Sequence, residues 1–225
     1  MTGAGGGPLA RLLGAPVETE EAFTDLPGPG GLFPEEAAHI ARAVPVRRAE
    51  FATVRHCART ALARLGAPRV PLLPGDRGAP GWPPGFLGSM THCAGYRAAA
   101  VARADALASL GIDAEPDEPL PDPGILRMIS LPGERAQLAA LTAELPHVSW
   151  ERLLFSAKES VYKTWFPVTG RWLGFEEAEV TLRPDRPDGG TFTARLLPAD
   201  SPFRTLSGRF VAEKGLLVTA IALPL

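Results

Sequence analysis

Three acidic side chains lie in two short motifs whose spacing favours a shared ligand. Asp113 and Glu115 flank Ala114 at the end of a predicted strand, so the alternation of a strand places both carboxylates on one face. Two carboxylates on one face repel each other unless they bind a cation or are well solvated. Glu159, on a predicted helix, would supply a third hard oxygen ligand of the kind that Mg²⁺ prefers. For the Asp-x-Glu motif alone, a polar strand end in water is the alternative.

Lysine is rare in this chain, and its placement is informative. The sequence has three lysines and twenty arginines, yet Lys158 and Lys163 lie five residues apart. A compact ammonium group at these positions suits the neutralisation of a phosphate. Glu159 and Lys163 are four apart on one helix face, so a surface ion pair worth about 0.2–0.5 kcal/mol is the alternative interpretation.

Basic residues also follow one stripe of a predicted helix over residues 46–65. Arg48, Arg55 and Arg59 are spaced by seven and four, which indicates either a solvated basic edge or a phosphate-binding ridge. A loop over residues 66–88 follows, and a loop of this length is more often a binding loop than a spacer. His92 comes after a Gly-Ser-x-Thr turn and is predicted to begin a strand, where it could reach an anion.

The remaining pattern predicts an α+β chain with two comparable lobes, residues 1–115 and 116–225. Residues 1–33 are expected to form an irregular arm with one short strand, and residues 96–102 and 106–112 to form partner strands. Pro116 to Gly124 is rich in proline and marks the predicted boundary. Later elements are predicted as helices at 34–42, 133–145 and 150–166, with Ser149 as an N-cap and Pro167 beyond the end, and strands at 176–182, 191–197, 207–212 and 216–222.

Composition excludes several classes of protein. Apolar residues make up 45% of the 225 residues, charged residues make up 21%, and the net charge is −2. These values favour a packed core and argue against a dedicated nucleic-acid binder. The two cysteines lie outside any CxxC spacing, and neither a signal peptide nor an 18-residue apolar run is present, so we expect a soluble cytoplasmic protein without a membrane segment. The common nucleotide, hydrolase and zinc-protease motifs are absent as well.

Taken in order, four motifs resemble those of the Sfp-type 4′-phosphopantetheinyl transferases, especially the actinobacterial members that act on fatty-acid, polyketide and peptide synthases. The motifs are Gly78-Ala-Pro-Gly-Trp-Pro83, Gly88-Ser-Met-Thr-His92, Gly111-Ile-Asp113-Ala-Glu115 and Lys158-Glu159-Ser-x-x-Lys163. The resemblance runs from about Arg47 to Phe175. One departure is Phe155-Ser-Ala157, where many members carry a tryptophan.

The resemblance implies a fold and a set of site residues. The fold would have two similar pseudo-symmetric lobes, each with helices on a small antiparallel sheet, and a cleft between them for coenzyme A. The resemblance implies that Mg²⁺, or Mn²⁺ in its place, is bound by Asp113, Glu115 and Glu159. It implies that the phosphates of coenzyme A are bound by Arg48, Arg55, His92 and Arg77. The residues implied to face the pyrophosphate are Lys158 and Lys163. Glu159, Lys163 or a metal-bound water would accept the serine proton.

The implied reaction transfers 4′-phosphopantetheine from coenzyme A to a serine of an apo acyl or peptidyl carrier protein and releases 3′,5′-ADP. Two alternatives use the same residues: a Mg²⁺-dependent pyrophosphohydrolase acting on nucleotides, and a non-catalytic module that binds carrier proteins. We expect a monomer whose partners are coenzyme A and carrier proteins. The residues predicted to face a carrier are Arg127, Met128, Phe166, Arg171 and Trp172.

Overall fold

The computed structural model describes residues 6–27 and 31–225 and divides the chain into two compact units. The α-helices are α1 (Pro8–Leu12), α2 (Pro34–Ile40), α3 (Pro45–Arg64), α4 (Pro123–Ile129), α5 (Pro132–Glu144) and α6 (Trp150–Thr169). The strands are β1 (Glu18–Ala22), β2 (Phe86–Cys93), β3 (Tyr96–Arg103), β4 (Ser109–Pro116), β5 (Ala178–Arg186), β6 (Gly189–Leu196), β7 (Thr205–Glu213) and β8 (Leu216–Leu223). The expected α+β class with helices and two small antiparallel sheets is confirmed.

The first unit extends to Leu110, also includes Pro224–Leu225, and contains a three-stranded sheet in the order β1-β3-β2. The middle strand β3 is an almost continuous buried run, which fits a strand with a neighbour on each side. Helix α3 packs on this sheet through Cys57, Ala58, Ala61 and Leu62. The short strand expected near the N-terminus is confirmed as β1, whereas α1 was not expected.

Two strand predictions in this unit were wrong. His92 does not begin a strand after a turn but lies near the end of β2, where it pairs with Arg97 of β3. The predicted turn at Gly88-Ser-Met-Thr is part of the same strand, in which Ser89 and Thr91 alternate as buried positions at the edge of the sheet. The second prediction paired residues 106–112 with β3, but β4 begins at Ser109 and belongs to the other sheet. A short apolar run does not specify its partner strand.

The second unit, Gly111–Leu223, contains a five-stranded sheet in the order β4-β8-β7-β6-β5. Helix α6 packs on β8 and buries Trp150, Leu153, Val161 and Trp165 in the core. The predicted hairpin of β7 and β8 is confirmed, and both turn residues, Lys214 and Gly215, have the positive φ that a tight two-residue hairpin turn requires.

Helix α6 begins at the predicted residue but ends later. Pro167 lies inside the helix rather than beyond it, and Gly170, with φ 63°, ends the last turn. The helix continues because the amide of Gly170 still donates to the Phe166 carbonyl. Ser149 occupies the N-cap position without a side-chain capping bond, and its backbone amide donates to Asp117 instead.

The division of the chain falls within β4, between Leu110 and Gly111. The predicted lobes, 1–115 and 116–225, divide the chain within the same strand and stay a prediction, as does a ligand cleft. The proline-rich segment after β4 leads into α4, a helix that was not expected. None of the described helices has the length and apolar character needed to cross a membrane.

Candidate active site

The two carboxylates of β4 each meet a cation from α6. Asp113 is buried, and its Oδ1 accepts a hydrogen bond from Lys163 Nζ at 2.7 Å. Glu115 is less buried, and its Oε2 lies 3.1 Å from Arg152 Nη1. Helix α6 therefore compensates both charges of the predicted Asp-x-Glu motif.

Glu159 belongs to the same electrostatic group, and the name acidic cluster is used below for Asp113, Glu115 and Glu159. Burial raises the pKa of Glu159, Lys163 lowers that pKa, and Asp113 raises it. Burial also raises the pKa of Glu115, Asp113 adds to that rise, and Arg152 opposes it. Asp113 thus raises the pKa of both other carboxylates, and the joint binding of a ligand by these three side chains stays a prediction.

Helix periodicity explains why α6 can serve this cluster. Arg152, Glu159 and Lys163 are separated by seven and four residues, which places them along one face of the helix. The helix also lies very close to β4. A Cβ added at Gly111 would lie 2.2 Å from the carbonyl oxygen of Ser160. Only glycine permits this approach of strand to helix.

A hydroxyl network fixes α6 to β8. Thr219 Oγ1 lies 2.6 Å from Ser160 Oγ and 3.0 Å from Ser156 Oγ, and it donates to the Ser156 carbonyl. All three side chains are fully buried, so each polar contact replaces lost hydration. The network fixes the position of α6 along the sheet, and with it the positions of Glu159 and Lys163.

The donor chemistry of the acidic cluster suits a hard divalent cation. Three carboxylates supply oxygen ligands of the type that Mg²⁺ and Mn²⁺ accept. Within residues 6–27 and 31–225, no group of three His, Cys, Asp or Glu side chains is arranged to hold a metal ion, and Lys163 and Arg152 lie against two of these carboxylates. Metal binding by the cluster stays a prediction.

A pocket of about 130 Å³ lies beside Glu159 in the second unit. Its walls are mostly apolar and come from α6 and the segment before β5, and the lining residues are Lys158, Glu159, Tyr162, Trp172, Leu173, Gly174, Phe175 and Ala178. The ring of Tyr162 lies 5.1 Å from that of Trp172. An apolar pocket with a carboxylate at one side is a common form of small-molecule site.

The hydrogen bonds of Lys158 join it to residues outside the acidic cluster. Its ammonium donates to Glu134 Oε2 and to the carbonyl of Phe175, each at 2.8 Å, and its side chain is 1% exposed. Burial lowers its pKa. The expected placement toward a pyrophosphate is therefore corrected for Lys158. Lys163 contacts Asp113, and its expected role toward the pyrophosphate stays a prediction.

In the first unit, His92 is joined to a chain of charged residues. Arg47 Nη1 contacts His92 Nε2 and also lies 3.3 Å from Glu50. Arg97 bonds Glu50 at 3.4 Å and Asp25 through two contacts of 2.8 and 2.9 Å. The sequence pattern did not identify Arg47 or Arg97 as site residues. Arg97 stands at the start of an apolar run, which indicated only a buried strand.

The predicted phosphate residues of the first unit differ in accessibility. Arg48 is exposed at the start of α3 and makes no ion pair with the described residues. Arg55 is buried, donates to the Leu72 carbonyl at 2.9 Å and lies over the Phe51 ring. Burial lowers the pKa of Arg55 to about 10. Its expected placement on an open ridge is corrected, because the α3 stripe turns into the core there.

Other predicted residues lie on the surface. Arg77 is exposed on a short 3₁₀ turn, and its backbone has a φ of 52°. In the second unit, Arg127, Met128, Arg171 and Trp172 are exposed, and Phe166 is half-buried with its ring 5.7 Å from that of Tyr162. The sequence did not identify Arg152 and Glu134, although the spacing of Arg152 to Glu159 on α6 could have indicated the former.

Comparison with known proteins decides the family. Residues 35–102 match the 4′-phosphopantetheinyl transferase N-terminal domain, and residues 109–219 match the 4′-phosphopantetheinyl transferase superfamily. The chain is 61% identical over 221 residues to the 4′-phosphopantetheinyl transferase Svp of Streptomyces mobaraensis, covering 95% of this chain and 88% of Svp. The chain belongs to the 4′-phosphopantetheinyl transferase family.

More distant members agree with this assignment. The 4′-phosphopantetheinyl transferase PptT of Mycobacterium tuberculosis is 51% identical over 96% of this chain and 97% of its own. Enterobactin synthase component D of Salmonella typhi is 33% identical over 60% of this chain and 55% of its own. The chain is thus a transferase that moves phosphopantetheine from coenzyme A to carrier proteins, and the two alternative functions are not supported.

Proposed function

We propose that the acidic cluster and α6 form the catalytic centre of this phosphopantetheinyl transfer. A carrier serine oxygen attacks the β-phosphorus of coenzyme A, the bond from that phosphorus to the bridging oxygen breaks, and 3′,5′-ADP leaves. The serine proton passes to a basic group of the cluster. The observation that supports this proposal most is the pairing of the two β4 carboxylates with two α6 cations, including the 2.7 Å contact of Lys163 with Asp113.

We propose that Asp113, Glu115 and Glu159 bind Mg²⁺, or Mn²⁺ in its place. When bound, the ion neutralises negative charge on the pyrophosphate. Lys163 is 28% exposed on its side chain, so its ammonium can exchange part of its contact with Asp113 for a phosphate oxygen. The mostly apolar pocket beside Glu159 suits part of the uncharged pantetheine arm.

We propose that basic residues of the first unit hold the remaining phosphate of coenzyme A. Arg48 is exposed, and Arg47, which is also exposed and contacts His92 Nε2 through Nη1, provides a further guanidinium donor beside His92. Arg77 is an additional exposed candidate on its loop. Arg55 supports this site from within the core through its bond to Leu72, rather than by an open guanidinium.

Acidic carrier proteins are the expected partners, and fatty-acid, polyketide or peptide synthases are the expected source of these carriers. The proposed docking residues combine two arginines and two large apolar side chains, namely Arg127, Arg171, Met128 and Trp172, which are all exposed. Such a surface complements an acidic carrier with an apolar contact at its centre. We propose that the enzyme acts as a monomer in the cytoplasm.

The test combines the enzyme, coenzyme A, an apo carrier protein and Mg²⁺, with mass spectrometry of the carrier. We expect the carrier to gain one phosphopantetheine group, and a chelator to prevent the gain. Asp113→Asn is expected to abolish transfer, whereas Asp185→Asn, on the exposed end of β5, serves as the matched control. Transfer by Asp113→Asn at the control rate would refute the assignment of the cluster, and breakdown of coenzyme A without a carrier would indicate a hydrolase.

A further inference from the structure

Glu134 is a fully buried carboxylate that joins four parts of the second unit. Its Oε1 accepts from the backbone amide of Val180 on β5 at 2.7 Å, and its Oε2 accepts from the amide of Leu131 before α5 at 2.6 Å. The same Oε2 accepts from Lys158 of α6 at 2.8 Å. Lys158 in turn donates to the carbonyl of Phe175 in the 3₁₀ turn Phe175–Glu177.

This arrangement forms one wall of the pocket beside Glu159. Phe175 and Ala178 line the pocket together with Lys158, and the ring of Phe175 lies 5.8 Å from that of Phe155 on α6. The ammonium that holds this wall is adjacent in sequence to Glu159. Its donors point into the protein, since both side chains of the pair are 1% exposed.

We infer that Glu134 and Lys158 are positioning residues, which hold the 174–178 wall against α6 and so shape the pocket beside the acidic cluster, and that Lys158 does not contact phosphate. This inference rests on the proposed function of the cluster and the pocket. Lys163 is then the one α6 lysine that serves the pyrophosphate.

A double-mutant cycle separates a positioning role from contact with substrate. Lys158→Met leaves a buried carboxylate without its cation, and Glu134→Gln leaves a buried ammonium, so each single variant is expected to lower Tm by about 10 °C and kcat/KM by about tenfold or more. The double variant removes both buried charges but has one carboxamide oxygen where two carboxylate oxygens accept backbone amides, so it is expected to regain about half of each loss, with a KM for coenzyme A close to the native value. The exposed pair Arg186 and Asp188 is the matched control and should show no coupling.

The outcomes of this cycle are distinct. A double variant that regains Tm but transfers no better than Lys158→Met, with a raised KM for coenzyme A, would show that Lys158 touches substrate and would overturn the inference. A double variant that regains neither property would also overturn it. If the native enzyme itself fails to modify an apo carrier, the proposed function fails, while the Tm cycle still reports on the pair.

Labelling of the native enzyme provides a second test that needs no variant to fold. The chain has three lysines, and we expect an amine-acylating reagent to label exposed Lys214 first, then Lys163, and to leave Lys158 unlabelled until the protein unfolds. Mass spectrometry of the digested protein identifies each site. If Lys158 is labelled in the free enzyme and protected by coenzyme A, the inference is wrong.

Discussion

Replacing Gly111 by alanine is expected to lower transfer about 100-fold without unfolding the core, because this glycine sets the distance between β4 and α6. A Cβ at position 111 would lie 2.2 Å from Ser160 O, 2.3 Å from Thr164 Oγ1 and 2.8 Å from Thr164 N. Two of these atoms belong to the helix backbone, so a change of rotamer does not relieve the overlap. The strand and the helix must move apart instead.

The size of this movement follows from the contact distances. Ordinary contacts of a Cβ begin near 3.4 Å, so the oxygen of Ser160 must retreat from 2.2 Å by about 1.2 Å. A displacement of this size, added to the 2.7 Å separation of Lys163 Nζ and Asp113 Oδ1, would exceed the length of a hydrogen bond. Overpacking of this kind costs about 1–3 kcal/mol, and a misplacement of about 1 Å in a catalytic group can lower turnover by about 100-fold.

The assay compares Gly111→Ala with Gly133→Ala, a second glycine-to-alanine change in the same unit. The nearest atom to a Cβ at Gly133 is 3.8 Å away, so this control should keep native Tm and native transfer. For Gly111→Ala, circular dichroism should show a folded protein with Tm lowered by roughly 2–10 °C, and transfer should fall by about 100-fold. A folded Gly111→Ala enzyme with native turnover would refute the argument that strand-to-helix distance controls the cluster.

Three further perturbations test other parts of the site. Glu159→Gln should leave the Tm of the ligand-free protein unchanged below about pH 4 and raise it at pH 8. Burial raises the folded-state pKa of Glu159, so the native protein loses stability as pH rises from the ordinary carboxyl pKa through that raised value. Equal Tm values at pH 8 would contradict this. Arg48→Ala should weaken the binding of coenzyme A about tenfold in calorimetry and should weaken the binding of dephospho-coenzyme A only slightly, because only coenzyme A carries the 3′-phosphate. Equal losses of affinity for the two ligands would show that Arg48 does not contact that phosphate. Arg127→Glu should raise the KM for an acidic carrier about tenfold and leave the KM for coenzyme A unchanged in steady-state assays, and an unchanged carrier KM would exclude this surface.

Periodicity predicted the elements that carry the cluster. The apolar stripe of α6 and the alternation of Asp113 and Glu115 depend on local geometry, so the sequence was sufficient to place these residues on a helix face and a strand face. The hairpin around Lys214 and Gly215 was predicted for the same reason, since its turn chemistry is local.

Side-chain partners depend on distant parts of the chain, and there the sequence was insufficient. Lys158 and Lys163 carry the same charge on the same helix, but Lys158 meets Glu134, 24 residues earlier, while Lys163 meets Asp113, 50 residues earlier. Arg55 follows the basic stripe of α3, yet the Leu72 carbonyl and the Phe51 ring draw it into the core. No helical spacing distinguishes these outcomes, because the choice is made by tertiary packing.

The charges of the acidic cluster and its two cations suggest a test of whether this site binds a ligand that carries both signs. Three carboxylates and the two cations Arg152 and Lys163 leave one net negative charge, so two of the carboxylates are compensated before any ligand binds. A divalent cation alone would have to compete with both ammonium and guanidinium groups for the same oxygens. If the three carboxylates hold a divalent cation as proposed, a pyrophosphate bound with that cation would offer oxygens to Lys163 and Arg152, so that every charge would keep a partner. On this argument we expect a metal ion and coenzyme A to bind with positive coupling, and calorimetric titration of Mn²⁺ should show tighter binding when coenzyme A is present than when it is absent.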